Sequence, residues 1–185
     1  MARPTPKLLM SACLIGQCCR WDARTPQSCV TPILHKMLTL GEVVVVCPEC
    51  AGGLDVPRPA SEIAPGATAQ SVLAGTGKVV NTKGVDVTAN FIKGAQVALE
   101  KAQKFGIKVA VMKAKSPSCS KGSIYDGTFS GKLKEGMGVA AQLLTDHGIA
   151  VFDENEIDKA LAFLDESASD QVHCTAVQNN WYTQD

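Results

Sequence analysis

The chain has 185 residues, 45% of them hydrophobic and 19% charged, with Lys plus Arg equal to Asp plus Glu at 18 each. This composition fits one domain with a real core and excludes a disordered chain. Zero formal net charge argues against a general polyanion binder, and 5% aromatics argue against a stacking platform for long single strands.

No apolar run approaches the ~20 residues of a membrane span. Leu9-Met10-Ser11-Ala12-Cys13 has the outline of a lipoprotein cleavage site, but the apolar stretch before it is short and broken by Pro4 and Pro6. A cytoplasmic location is therefore expected. Eight cysteines stand at 13, 18, 19, 29, 47, 50, 119 and 174. In a secreted chain they would suggest a disulfide framework. In a cytoplasmic α/β chain they read as metal ligands, catalytic thiols or small buried apolar residues.

In chain order, 7–12 predicts a first strand that ends at Cys13, and 16–27 is polar and irregular. Thr31-Pro32 starts a helix that runs to about Leu40, where Gly41 stops it. Val43 to Val46 is a β-branched run suited to a strand buried on both faces, ending at Cys47-Pro48. Residues 51–66 are rich in proline and glycine and predict a long shaped loop. The pattern over 72–81 predicts a small hairpin around Gly75-Thr76-Gly77, a turn rather than a phosphate loop.

Asp86 or Thr88 starts a helix to about Phe105, with Phe91, Ala95, Ala98, Leu99 and Ala102 at helical spacing. A third strand follows over 108–112, and Asp126-Gly127 is a turn signal. A short helix over 139–147, a fourth strand over 149–152 and a last helix over 153–165 complete the pattern. Residues 166–185 read as a polar tail to a single domain over 1–165. Alternating strands and helices predict a Rossmann-like α/β domain, a mostly parallel sheet flanked by helices.

Cys13, Cys47 and Cys119 each fall at or just beyond a predicted strand end. Open α/β sheets bind ligands outside the carboxyl ends of their strands, so the three thiols are expected on one edge. Three protein ligands leave one metal position open, and an open iron is a Lewis acid toward soft sulfur. A zinc hydrolase and a non-enzymatic iron–sulfur or redox sensor are the rival readings. Cys47-Pro48-Glu49-Cys50 has the spacing of a redox pair, but the glycines that follow disfavour the helix such a motif opens.

Glu49 reads as a carboxylate able to pass protons, and Ser116 as a hydroxyl that orients substrate or water. Arg58, Lys113 and Lys115 are candidate anchors for an anionic group, and Ser118 is a further candidate substrate contact. His35, His147 and His173 read as structural or surface residues.

Several segments together resemble a known family. They are Ser-Ala-Cys-Leu-Ile-Gly at 11–16, Cys-Arg-Trp-Asp at 19–22, Cys-Pro-Glu at 47–49, Gly-Gly-Leu at 52–54 and Pro-Arg-Pro at 57–59. Further on come Gly-Val-Asp-Val-Thr at 84–88, Ser-Pro-Ser-Cys at 116–119 and Ile-Tyr-Asp-Gly-Thr-Phe-Ser-Gly at 124–131. Over about residues 7 to 155 the chain resembles the bacterial thiouracil desulfidases. The resemblance implies a [4Fe-4S] cluster on Cys13, Cys47 and Cys119, with Glu49 and Ser116 as catalytic residues. It also implies a small thiolated pyrimidine, free base or nucleotide, as substrate; neutral charge and the lack of an added RNA-binding domain make whole RNA the least expected partner. Three departures bear on pocket shape: Cys50 where the family is usually apolar, Ser120 where it usually has glycine, and Trp21-Asp22-Ala23-Arg24 in place of Tyr-Asp-Gly-Gly.

Overall fold

A computed structural model describes residues 7–24 and 28–166. Its elements in chain order are β1 (Leu8–Ser11), α1 (Pro32–Thr39), β2 (Val43–Val46), α2 (Pro48–Ala51), β3 (Ser61–Ile63), α3 (Ala69–Leu73) and β4 (Val79–Asn81). There follow α4 (Thr88–Lys104), β5 (Val109–Met112), β6 (Ser123–Tyr125), β7 (Leu133–Glu135), α5 (Val139–Asp146) and β8 (Ala150–Asp153). A last helix, α6, covers 157–166.

The main sheet has the order β2-β1-β5-β8, and every pair in it is parallel. Side chains alternate between its two faces, as the pleat requires. Leu9, Val46, Ala110 and Met112 pack with Val72 of α3, Phe91, Ala95 and Ala98 of α4, and Leu144 of α5. Leu8, Met10, Val109 and Val111 pack with Leu34 and Met37 of α1 and Ile157 and Ala160 of α6. Helices therefore cover both faces, which is why these short strands carry apolar residues at almost every position.

From β1 the chain crosses to β2 on one side, and later crosses back to β5 on the other. The order reverses beside β1, so a crevice opens at the carboxyl ends of β1 and β5. Ser11 ends β1 and Cys13 follows it, and Lys113 to Cys119 follow β5.

The expected elements are present, with four corrections. The 51–66 stretch is not one loop, because β3 lies within it and pairs antiparallel with β4. Residues 72–81 do not form their own hairpin. Thr68 and Ser71 make a reciprocal cap that starts α3 there, so β4 takes β3 as its partner. The Cys47-Pro48-Glu49-Cys50 motif does open a helix, the single turn α2, despite the glycines behind it. The final helix begins at 157 rather than 153, because Asp153 still pairs with Met112 in the sheet. The tail, with His173 and Cys174, lies outside the described residues.

Helix α2 is pressed against α4 so closely that only glycines fit between them. A Cβ on Gly94 would meet the carbonyl oxygen of Pro48 at 1.9 Å, and one on Gly52 would meet that of Asn90 at 2.0 Å. The Asn90 amide also donates to the Gly52 carbonyl at 3.0 Å. This contact places Cys47 and Glu49 at the crevice.

Alanine is a better helix former than glycine by ~1 kcal/mol. Gly94→Ala is nevertheless expected to destabilise the protein, by about 1–3 kcal/mol, because the overpacking outweighs the propensity. Urea unfolding of the two forms checks this, with a lower midpoint expected for the variant.

Candidate active site

One cavity of about 540 Å³ opens at the carboxyl edge of the main sheet. Cys13, Cys47 and Cys119 all line it, together with Glu49, Ser116 and Arg58. Among the described residues, no three His, Cys, Asp or Glu side chains converge tightly enough to surround a single metal ion. All seven cysteines in the described residues are free thiols.

Each thiol is placed by local backbone. Cys13 sits in a turn of 3-10 helix, Ala12–Ile15, that ends at Gly16 with φ 88°. Cys47 is the residue before α2, with Pro48 at the first helical position. Cys119 lies in a tight turn in which the Ser116 carbonyl accepts from the Ser120 amide at 3.0 Å. Helix α5 clamps that turn. The amides of Val139 and Ala140, which lack partners inside the helix, donate to the carbonyls of Pro117 and Ser118 at 2.9 and 2.8 Å. Gly138 permits the approach, since a Cβ there would meet the Ser118 carbonyl carbon at 2.4 Å.

A fourth thiol, Cys19, joins the set. It lines the cavity beside Cys13 and Cys47, and its carbonyl accepts from the thiols of Cys47 and Cys50 at 3.7 and 3.6 Å. The contact with Cys13 pushes the Cys19 thiol up to about 12. The contact with Cys19 and then burial push Cys47 up as well. Burial raises Cys50 to about 11 and Cys119 to about 12, the latter against the opposing influence of the nearby Ser11 and Ser116 hydroxyls. Crowded, buried thiols resist ionisation until a positive centre joins them. The donors are soft and clustered, and so fit an iron–sulfur group.

Glu49 projects from α2 into a fork with Arg58. Nε and Nη2 of Arg58 both donate to Glu49 Oε2, at 2.9 and 2.7 Å. Arg58 also donates to the carbonyls of Asp55 and Cys19 at 3.0 and 3.1 Å, and lies 3.9 Å from Cys50 Sγ. All five guanidinium donors are thus committed within the protein, which leaves none for the anionic group expected from sequence. Burial pulls the Arg58 pKa down, but the adjacent Glu49 carboxylate outweighs it and the net shift is upward.

Of the other expected residues, Ser116 accepts at Oγ from the amides of Ser118 and Cys119, at 3.2 and 3.1 Å. Ser118 itself is fully buried, its hydroxyl has no partner, and it is not part of the cavity lining. Lys113 lines the cavity but pairs with Glu154, whereas Lys115 lines it and faces solvent. Ala23 stands where the resembled pattern has glycine, and it keeps a glycine-like φ of 54°. Sequence reasoning reads Cys18 and Cys19 as loop cysteines that could be spare ligands, without singling out Cys19, and misses Arg58 as the partner of Glu49. The only available signals were the position of Cys19 beside Cys18 and a basic residue nine positions after Glu49.

The chain was also compared with known proteins. A family model described as 2-thiouracil desulfurase matches residues 8–156. The uncharacterized protein YbbK of Bacillus subtilis (strain 168) is 40% identical over 154 residues, 83% of this chain and 99% of that protein. A solved structure of a [4Fe-4S]-dependent thiouracil desulfidase, TudS, is 38% identical with a TM-score of 0.77, and the match covers 86% of this chain and 98% of that one.

Removing one partner of a buried ion pair leaves the other uncompensated. Arg58→Ala is expected to cost about 3 kcal/mol of stability. Arg58→Lys recovers part of that loss, since it restores the charge but not the fork. Denaturant titration of the two variants without cofactor measures both values.

Proposed function

The chain belongs to the 2-thiouracil desulfurase family, and from that premise we propose that it hydrolyses the carbon–sulfur bond of a thiolated uracil, as free base or 4-thio nucleotide. The products are the oxo-pyrimidine and sulfide. One observation carries this reading: Cys13, Cys47, Cys119, Glu49 and Ser116, drawn from three separate segments, line a single cavity.

Cys13, Cys47 and Cys119 would hold a [4Fe-4S] cluster, the group on which the solved relative is described as depending. When bound, a cluster with one iron free of protein ligands supplies Lewis acidity toward soft sulfur. Glu49 is the general base. Arg58 engages only its Oε2, which fixes the carboxylate and leaves Oε1 to take a proton from water. That water attacks the ring carbon. A carbon–oxygen bond forms, the carbon–sulfur bond breaks, and the sulfur leaves as sulfide with a proton. The reaction is a hydrolysis with no net electron transfer, so it requires neither nicotinamide nor flavin.

Ser116 serves two partners in this reading. Its Oγ accepts from the Cys119 amide at 3.1 Å, which helps to fix the turn that carries that thiol, and it stands in the cavity where it can orient the incoming water. The cavity volume falls in the range that takes a pyrimidine or its monophosphate. Lys115, at the rim, is a cation available to a substrate phosphate. Free thiols throughout the site suit a reducing cytoplasm, and no helix among the described residues is long and apolar enough to cross a membrane.

Anaerobic reconstitution with iron and sulfide, followed by incubation with 2-thiouracil, tests the proposal. Iron, acid-labile sulfide and released product sulfide are expected together. Glu49→Ala is expected to lower turnover by at least about a hundredfold while the visible cluster absorbance stays. Full turnover in that variant would remove Glu49 from its role, and zinc without labile sulfide would overturn the reading.

A further inference from the structure

Phe129 combines two features that folding alone disfavours. Its φ is +57°, in the left-handed region that a Cβ opposes. Its ring is 40% exposed, and it lines the cavity.

The surrounding loop joins β6 to β7 and is held in several independent ways. Glu62 of β3 is buried, and its Oε2 accepts from the amides of Gly127 and Phe129 at 2.9 and 3.1 Å. Gly127 lies flat on β3, where a Cβ would meet the carbonyl oxygen of Ile63 at 2.4 Å. At the tip, Asp126 Oδ1 accepts from both the amide and the hydroxyl of Thr128, at 2.9 and 2.6 Å. A buried carboxyl is thus spent on holding a strained backbone whose apolar ring stays out of the core. Strain that surrounding contacts over-determine in this way belongs to functional sites. Trp21, 47% exposed, lines the same cavity from the loop after β1.

We propose that Phe129 is a substrate-contacting platform that stacks on the planar pyrimidine ring, and that Glu62 is the positioning residue that presents it. The identity of the ring rests on the desulfidase reading above. Offset stacking is favourable for a flat heteroaromatic ring whether its exocyclic atom is sulfur or oxygen. Phe129 therefore binds substrate and product alike, and contributes to KM rather than to bond breaking.

Equilibrium dialysis of uracil against the cluster-loaded protein reads this without turnover. Phe129→Ala is expected to weaken binding about five- to tenfold, and Phe129→Trp to stay within about twofold of the parent. Glu62→Ala should match Phe129→Ala. Glu62→Gln keeps an acceptor for the two amides and should bind as the parent does. The Glu62→Ala, Phe129→Ala double variant should be no weaker than either single one, because both changes remove one interaction. With 2-thiouracil, Phe129→Ala should raise KM by the same factor and leave kcat unaltered. Unchanged uracil binding in Phe129→Ala, a loss confined to kcat, or a parent protein that retains no uracil would overturn the platform. Absence of sulfide release by a parent protein that does bind uracil through Phe129 would overturn the desulfidase reading alone.

Discussion

Parallel pairing of β1 with both β2 and β5 is the constraint from which the site follows. It sets Ser11 beside Val46, and Met10 beside both Val45 and Val111. The three strands therefore end nearly level. Residues just beyond them share one edge although they lie 34 and 106 positions from Cys13 along the chain. A slip of one residue in either pairing would turn every strand side chain to the opposite face and carry its thiol with it. The two apolar layers on the sheet, each made of alternate strand residues, hold that register.

The second constraint is electrostatic. Several thiols crowd one cavity wall, and burial and mutual contact hold their protons on. Beside them, Glu49 and Arg58 neutralise each other at close range. The pair adds no net charge to that wall. The fork also fixes the direction of the Glu49 carboxylate beside the thiols. The polar scaffolding around the thiols is largely backbone: the α5 amides clamp the turn that carries Cys119, and the Cys19 carbonyl is held by Arg58.

The main sheet and its long helices were legible in the sequence because their signals are local. The Thr31-Pro32 start of α1 and the apolar stripe of α4 read correctly without tertiary context, and so does the Val43–Val46 run as a strand, although β2 is an edge strand and only Val46 is buried. The convergence of Cys13, Cys47 and Cys119 on one cavity also followed from strand ends alone. What failed depends on distant partners. Strand β3 is three residues long and exists because β4 pairs with it, and α2 is a single turn held by glycine contacts with α4. The pairing of Arg58 with Glu49 was not legible either, because only the fold brings the guanidinium fork onto that carboxylate. Glu62 offers no motif at all, since its bonds span more than sixty positions.

The central claim is that three cysteines hold a cluster and leave one iron without a protein ligand. Mössbauer spectroscopy of the iron-57-reconstituted protein, recorded with and without 2-thiouracil, tests it most directly. The account predicts a cuboidal cluster in which substrate shifts the signal of a single iron site, and loss of the cluster when Cys13, Cys47 or Cys119 is replaced by serine. Four equivalent irons that ignore the substrate, or a cluster that survives those replacements unchanged, would contradict it.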